Sequence, residues 1–152
     1  MPPSVKAIPE GYESVIPYLV VNDGKAAIEF YKKVFDATEV MRFDDQGRIG
    51  HAELKIGGGI FMLADEYPDM GYRGPEPGKL PPAGMMVYVQ DVDAVVERAV
   101  KEGATVEKPV ADQFYGDRAG GIVDPFGHRW YIATHIEDLS SEEIEQRAAA
   151  SG

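Results

Sequence analysis

No cysteine occurs in this chain, so disulfides and thiolate zinc sites are excluded from the start. No hydrophobic run is long enough for a signal peptide or a transmembrane helix, and the cytoplasm is the expected compartment. Basic residues are also scarce: 15 Lys and Arg stand against 26 Asp and Glu, a net charge of −11. That balance argues against nucleic acid, whose phosphates need clustered cations. An acidic surface keeps a protein soluble, and attraction of cationic ligands is the alternative reading. A chain of 152 residues suits one domain that can bury a core.

What is present is a duplication. Leu19-Val-Val-Asn-Asp-Gly-Lys-Ala-Ala-Ile-Glu aligns with Val87-Tyr-Val-Gln-Asp-Val-Asp-Ala-Val-Val-Glu at an offset of about 68 residues. Asp23 then meets Asp91, Ala26 meets Ala94, and Glu29 meets Glu97. Further on, Ala37-Thr38 meets Ala104-Thr105, and Phe61-Met-Leu-Ala meets Trp130-Tyr-Ile-Ala.

Each half reads alike. Short apolar runs at Ile16 to Val21 and Met85 to Val89 predict strands. Ala27, Ile28, Tyr31, Val34 and Phe35 predict one buried helix face, and Val95, Val96, Ala99 and Val100 another, with Gly103 as a stop. Asp23 and Asp91 suit helix starts, where a carboxylate accepts from orphan backbone N–H groups. Three strands should follow each helix, at about 38–45, 49–56 and 60–66, and at about 105–110, 118–123 and 128–135. The turns fall at Asp44-Asp-Gln-Gly, Gly57-Gly-Gly and Asp124-Pro-Phe-Gly.

The fold class expected is therefore α+β: two tandem βαβββ modules whose curved sheets enclose a shared groove. Module one covers about 14–66, a Pro/Gly-rich linker about 67–83, module two about 84–138, and a helical tail about 140–149. The tail opens with a capping box at Ser140 and Glu143, and Ala148 to Gly152 should fray. Alternation turns Phe61, Leu63, Trp130 and Ile132 toward the helices and Met62, Ala64, Tyr131 and Ala133 toward the groove.

Several runs carry a resemblance: Tyr18-Leu-Val-Val-Asn-Asp, Ala27-Ile-Glu-Phe-Tyr, Gly50-His-Ala-Glu-Leu, Tyr115-Gly-Asp-Arg and Asp124-Pro-Phe-Gly-His-Arg-Trp. Over about residues 14–138 the chain resembles the PhnB-like branch of the vicinal-oxygen-chelate superfamily, the glyoxalase, bleomycin-resistance and dioxygenase fold. The resemblance implies a fold and leaves the function to the site. Members include metal-dependent isomerases and dioxygenases, fosfomycin-resistance transferases, and metal-free proteins that sequester antibiotics. In the metal enzymes, His or Glu ligands occupy two repeat-related pairs of positions, which carry over here to Ile16 with Gly84 and Met62 with Tyr131. None is an ordinary ligand for a hard or borderline divalent ion, so neither the ancestral metal nor any cofactor is expected.

His51 and Glu53 share one strand face, as a polar anchor or base in the groove or as a simple ion pair. His128 should bond turn backbone, and His135 should sit exposed at a strand end. No Ser-His-Asp set assembles, and Gly57-Gly-Gly lacks the Lys-Ser/Thr of a phosphate loop. Tyr18, Tyr88 and Tyr131 fall on groove positions with Met62 and Met86, while Phe114, Tyr115 and Arg118 lie near the mouth. Apolar walls with polar tips suit a small-molecule pocket, and core filler is the alternative.

The sequence thus points to a metal-independent protein that binds a small aromatic or planar molecule, with Arg118, His51 and Glu53 orienting it. The alternative is a glyoxalase- or dioxygenase-type metalloenzyme with a relocated site at His51, Glu53 and Asp65 or Glu66. A role in assembly with no small ligand is a third. The resemblance implies a homodimer, since superfamily members often pair their modules across a two-fold dimer. The Pro/Gly-rich Asp65–Gly84 stretch could permit pairing within one chain or across two. Light scattering at micromolar concentration should return twice the chain mass, and a monomer mass would contradict it.

Overall fold

The computed structural model describes residues 4–151. Two compact units divide the chain, the first ending at Gly74 and the second beginning at Pro75. Both repeat the order strand, helix, three strands.

In the first unit, β1 (Tyr18–Val21) leads into α1 (Gly24–Phe35), followed by β2 (Thr38–Asp45), β3 (Arg48–Ile56) and β4 (Gly59–Asp65). The sheet order is β1-β4-β3-β2, with β1 parallel to β4 and the other pairs antiparallel. Asp23 caps α1 by accepting from the Ala26 amide at 3.1 Å. All five residues expected on its buried face are buried, and Phe30 joins them. They meet Leu19, Val21, Ala52, Leu54, Phe61 and Leu63 from the sheet face that α1 covers; Tyr31 and Phe61 pack edge to face at 5.5 Å. Full burial of each large aliphatic side chain here contributes about 1.5–3 kcal/mol.

The second unit repeats the plan with β5 (Gly84–Tyr88), α2 (Val92–Lys101), β6 (Thr105–Asp112), β7 (Asp117–Val123) and β8 (Arg129–His135), in the order β5-β8-β7-β6. Asp91 caps α2 through the Ala94 amide. Val100, expected on the buried face, is 45% exposed, and Val92 is buried instead. The buried stripe is Val92, Val95, Val96 and Ala99, one narrow ridge at helical spacing, and Val100 falls beyond its edge.

The same corner recurs in both units. Asp65, at the end of β4, accepts from the Gly24 amide at 2.8 Å and from the Ile49 amide at 2.7 Å. In the second unit Thr134 of β8 accepts from the Val92 amide at 2.9 Å and donates to the Val89 carbonyl. Gly24 is required at this corner, because a Cβ would stand 2.7 Å from the Ile49 side chain.

One edge strand of each sheet is irregular. Register shifts interrupt β2 between Glu39 and Met41 and between Phe43 and Asp44, and β6 between Val106 and Lys108 and between Lys108 and Ala111. The hairpin between β2 and β3 turns through Gln46 and Gly47, both with positive φ, which matches the twist of paired strands.

The linker region is more ordered than its composition suggests. Tyr67 and Tyr72 bridge antiparallel around a 3-10 turn, Pro68–Met70. Ala133, expected to line a groove, is completely buried. After β8 comes α3 (Ser141–Ser151), with the Ser140 hydroxyl accepting from the Glu143 amide at 3.2 Å. Ala148 to Ser151, expected to fray, are helical, and Gly152 lies outside the described residues. Among the described residues no helix is long and apolar enough to cross a membrane.

The turn before β8 rests on Asp124, which accepts from the Phe126 and His128 amides and from the Trp130 indole N–H, each at 2.9 Å. Asp124→Ala should destabilise the protein by about 2–4 kcal/mol by orphaning buried donors. Urea denaturation measures it, and a loss under about 0.5 kcal/mol, the ordinary surface level, would show the turn needs no such anchor.

Candidate functional site

Strand pairing lays a row across the uncovered face of the first sheet. Tyr18 pairs with Met62, Met62 with Glu53, and Glu53 with Met41. His51, two residues before Glu53, points to the same face and pairs with Phe43. Gly50 lies under the Phe43 ring, which an added Cβ would meet at 2.7 Å.

These side chains form a continuous relay. The Tyr18 hydroxyl lies 2.9 Å from His51 Nδ1, and His51 Nε2 lies 2.7 Å from Glu53 Oε2. The other Glu53 oxygen accepts from the Tyr12 hydroxyl. Glu53 is 6% exposed, whereas Tyr18 at the far end is 48% exposed. Burial pushes the Glu53 carboxyl upward, but hydrogen bonds from Tyr12 and His51 and the imidazole beside it hold it below the ordinary range. Partial burial, with Tyr72 and Glu53 nearby, raises the Tyr18 phenol.

Tyr18 also lines an open concavity of about 450 Å³ with Val20, Gly50, Ala64 and Asp65 and with two further tyrosines, Tyr67 and Tyr72. Tyr67 and Tyr72 exchange backbone hydrogen bonds at 2.9 and 3.1 Å, with Gly71 left-handed between them. The Arg48 guanidinium lies 4.6 Å from the Tyr67 ring centre and donates to the Glu66 carbonyl. The Tyr67 hydroxyl donates to Asp45 at 3.2 Å.

Three of these contributors, Tyr12, Tyr67 and Tyr72, escape sequence reasoning. Tyr12 follows a Pro9-Glu-Gly turn closed by its amide on the Pro9 carbonyl, with Gly11 at φ 86°. Tyr-Pro-Asp-Met-Gly-Tyr over 67–72 is likewise a turn flanked by tyrosines. In both, a rigid turn presenting a ring was the readable signal.

The second unit holds the remaining expected residues. Met86, Tyr115 and Tyr131 line a smaller concavity of about 170 Å³ with Lys108, Gln113, Ala119 and Gly120. Tyr88 donates instead to the buried Asp117 at 2.7 Å, and Asp117 also holds His135 Nδ1 at 2.8 Å. His135 is therefore bracketed, with Nε2 at 2.8 Å from Asp138, and the two carboxylates raise its pKa above the ordinary value. Phe114 packs edge to face on Tyr115 at 5.2 Å. Arg118 is taken up by Asp93 and Asp112, tying the start of α2 to the end of β6. The residue paired with Tyr131, where Met62 pairs with Glu53, is Gly121. The second sheet thus carries no copy of the relay.

A superfamily metal does not fit these residues. Ile16, Gly84, Met62 and Tyr131 supply none of its usual donors. Both His51 nitrogens have hydrogen-bond partners, both Asp65 oxygens accept backbone amides, and Glu66 accepts from the Gly74 amide at 2.9 Å. Among the described residues, no three His, Asp or Glu side chains gather as a metal would require.

Two βαβββ units, each with one sheet face under a helix, define the class. The chain belongs to the Glyoxalase/Bleomycin resistance protein/Dioxygenase superfamily, whose family model matches residues 14–132. An uncharacterised protein of Mycobacterium bovis is 40% identical over 140 residues, covering 90% of this chain and 92% of the relative. The crystal structure of TioX from a Micromonospora species is similar at 28% identity and a TM-score of 0.60, covering 84% of this chain and all of that one. A PhnB protein from Bacillus cereus shares the fold at 19% identity and a TM-score of 0.62, covering 80% of this chain and 99% of that one.

The Glu53 relay carries a pH signature. Its folded pKa lies below the reference value of 4.5, so its stabilisation is present above that value and fades as pH falls through the folded value. Glu53→Gln should cost about 1–3 kcal/mol at neutral pH, with the gap to wild type closing toward about pH 3. Urea midpoints at the two pH values test this; an equal gap at both would remove the charge as its source.

Proposed function

We propose that this protein binds a small aromatic or planar molecule without a metal ion, as antibiotic-sequestering members of its superfamily do. The observation that carries the reading is the concavity walled by Tyr18, Tyr67 and Tyr72 and backed by the His51–Glu53 relay. At about 450 Å³ it falls within the range of small-molecule pockets. Phenol rings offer stacking faces, and Tyr18 offers an oriented oxygen, so no fully charged group need be stripped of water to bind a neutral ring. Met62 lies beside Tyr18 in the register and adds a polarisable contact.

The second unit holds its own smaller concavity with Met86, Tyr115 and Tyr131, while Tyr88 is held by Asp117. Phe114 and Arg118 act there as supports, the first behind Tyr115 and the second through its two carboxylates. A metalloenzyme centred on His51 and Glu53 is the weaker reading, because it would have to break the relay that orders both residues.

A thermal-shift screen of aromatic compounds followed by calorimetry tests the proposal. Tyr18→Ala and Tyr72→Ala should each weaken binding of a screen hit by about 1–3 kcal/mol, the scale of one aromatic contact. Unchanged affinity in both folded variants would make the tyrosines mere filler. Protein purified without chelator should hold no stoichiometric Zn, Ni, Mn or Fe, and EDTA should leave its Tm unchanged. A bound metal whose removal lowers Tm would overturn metal independence.

A further inference from the structure

The relay has a direction. Glu53, ionised at neutral pH, only accepts, so His51 Nε2 must be the donor across their 2.7 Å contact. A neutral imidazole with its proton on Nε2 presents a lone pair at Nδ1, which therefore takes the Tyr18 O–H at 2.9 Å. The Tyr18 oxygen is left with acceptor capacity alone. Tyr67 is in the same condition, since its O–H is given to Asp45. Among the described residues no Lys or Arg lines the concavity, and Asp65 does. A carboxylate or phosphate ligand would face acceptors at Tyr18, Tyr67 and Asp65, with the Tyr72 hydroxyl on the same wall, whereas a ligand that brings its own proton would meet those three as a donor.

We propose that the first unit's concavity is a proton-accepting site for weakly acidic O–H compounds, phenols or enols, with Tyr18 as the contact group and His51 as the proton's destination. The inference rests on the reading of this concavity as a ligand site. The ligand O–H bond breaks as a new O–H forms at Tyr18, while the original Tyr18 O–H breaks and an N–H forms at His51 Nδ1. The ligand becomes an anion, Tyr18 stays neutral, and an imidazolium stands against the ionised Glu53. Total charge is unchanged and no co-reactant is needed. Tyr12 and Glu53 are positioning residues: Tyr12 fixes the carboxylate, which sets the tautomer of His51. The ionisable groups facing this path are Tyr18 from β1, Glu53 from β3, Tyr12 behind Glu53, and Asp65, Tyr67 and Tyr72 at the concavity. The Asp65 charge is spread over two backbone amides, which eases its repulsion of the new anion.

The probes are 4-nitrophenol, whose phenolate has its own visible absorption band, and 4-nitroanisole, which has the same ring and no acidic proton. Both are titrated below the pH at which free nitrophenol ionises, with affinity read by calorimetry and ionisation by absorbance. Wild type should bind nitrophenol at least about tenfold more tightly than nitroanisole, and the phenolate band should grow with occupancy. His51→Gln and Glu53→Gln should bind nitrophenol without the band, and Tyr18→Phe should lose both the band and the preference. Tyr12→Phe, which keeps the ring and the fold, should retain binding with a weakened band. Binding of both probes without any phenolate band, or a band that survives His51→Gln, overturns the inference and leaves the ligand site standing. Failure of both probes and of every aromatic compound in the screen overturns the two together.

Discussion

A hydrogen-bond acceptor at the end of the last strand, aimed at the first amide of the helix, organises each half of this protein. In the first unit Asp65 holds Gly24 and Ile49 together, joining β4, α1 and β3 at one buried point. Two orphan donors are satisfied there, one at a helix start and one at a strand start, where burial without a partner would be costly. The neighbouring strand positions inherit their placement from this corner. Gly50 follows Ile49 directly, His51 and Glu53 come next, and the β1–β4 register fixes Tyr18 against Met62. Thr134 does the same work in the second unit with a hydroxyl. The corner is thus common to both halves, and the charge is particular to one.

That difference extends across the open sheet faces. Where the first sheet has Glu53 the second has Gly121, and where the first has Tyr18 bound to His51 the second has Met86. The polar chemistry of the second unit sits instead at the start of β7, around Asp117, with Tyr88 and His135. Two copies of one fold have kept their cores and diverged on the faces the cores do not need. A duplicated scaffold permits this, because a sheet covered by a helix on one side leaves the other free to change.

Much of the fold was legible because strands and helices impose periods. Alternation correctly turned Leu19, Val87, Trp130 and Ile132 inward and left Tyr18, Met86, Tyr88 and Tyr131 outside. Within the two modules the expected strand bounds fall within two residues of those found. The pairing of His51 with Glu53 was visible as a spacing of two on one strand. Tyr12, Tyr67 and Tyr72 were not, since they stand on turns, where no period says which way a ring points. Arg118 was read as a ligand contact for want of its partners: Asp93 is 25 residues away in the chain and reaches it only from the start of α2, and Asp112, six residues away, faces it only once β6 and β7 pair. Val100 failed for a plainer reason, since a ten-residue helix on a narrow ridge has room for one stripe.

The edge strands β2 and β6 close one side of each sheet. A straight edge offers a row of unpaired amides and carbonyls that any passing strand could join, and that is how folded proteins begin to aggregate. Each outer strand here is broken twice in register, and Pro109 removes one of the amides that β6 would otherwise offer. A neighbouring chain trying to extend either sheet on this side would lose step within a few residues. The irregularities that look like imperfections in the ladder therefore act as guards along one side of each sheet.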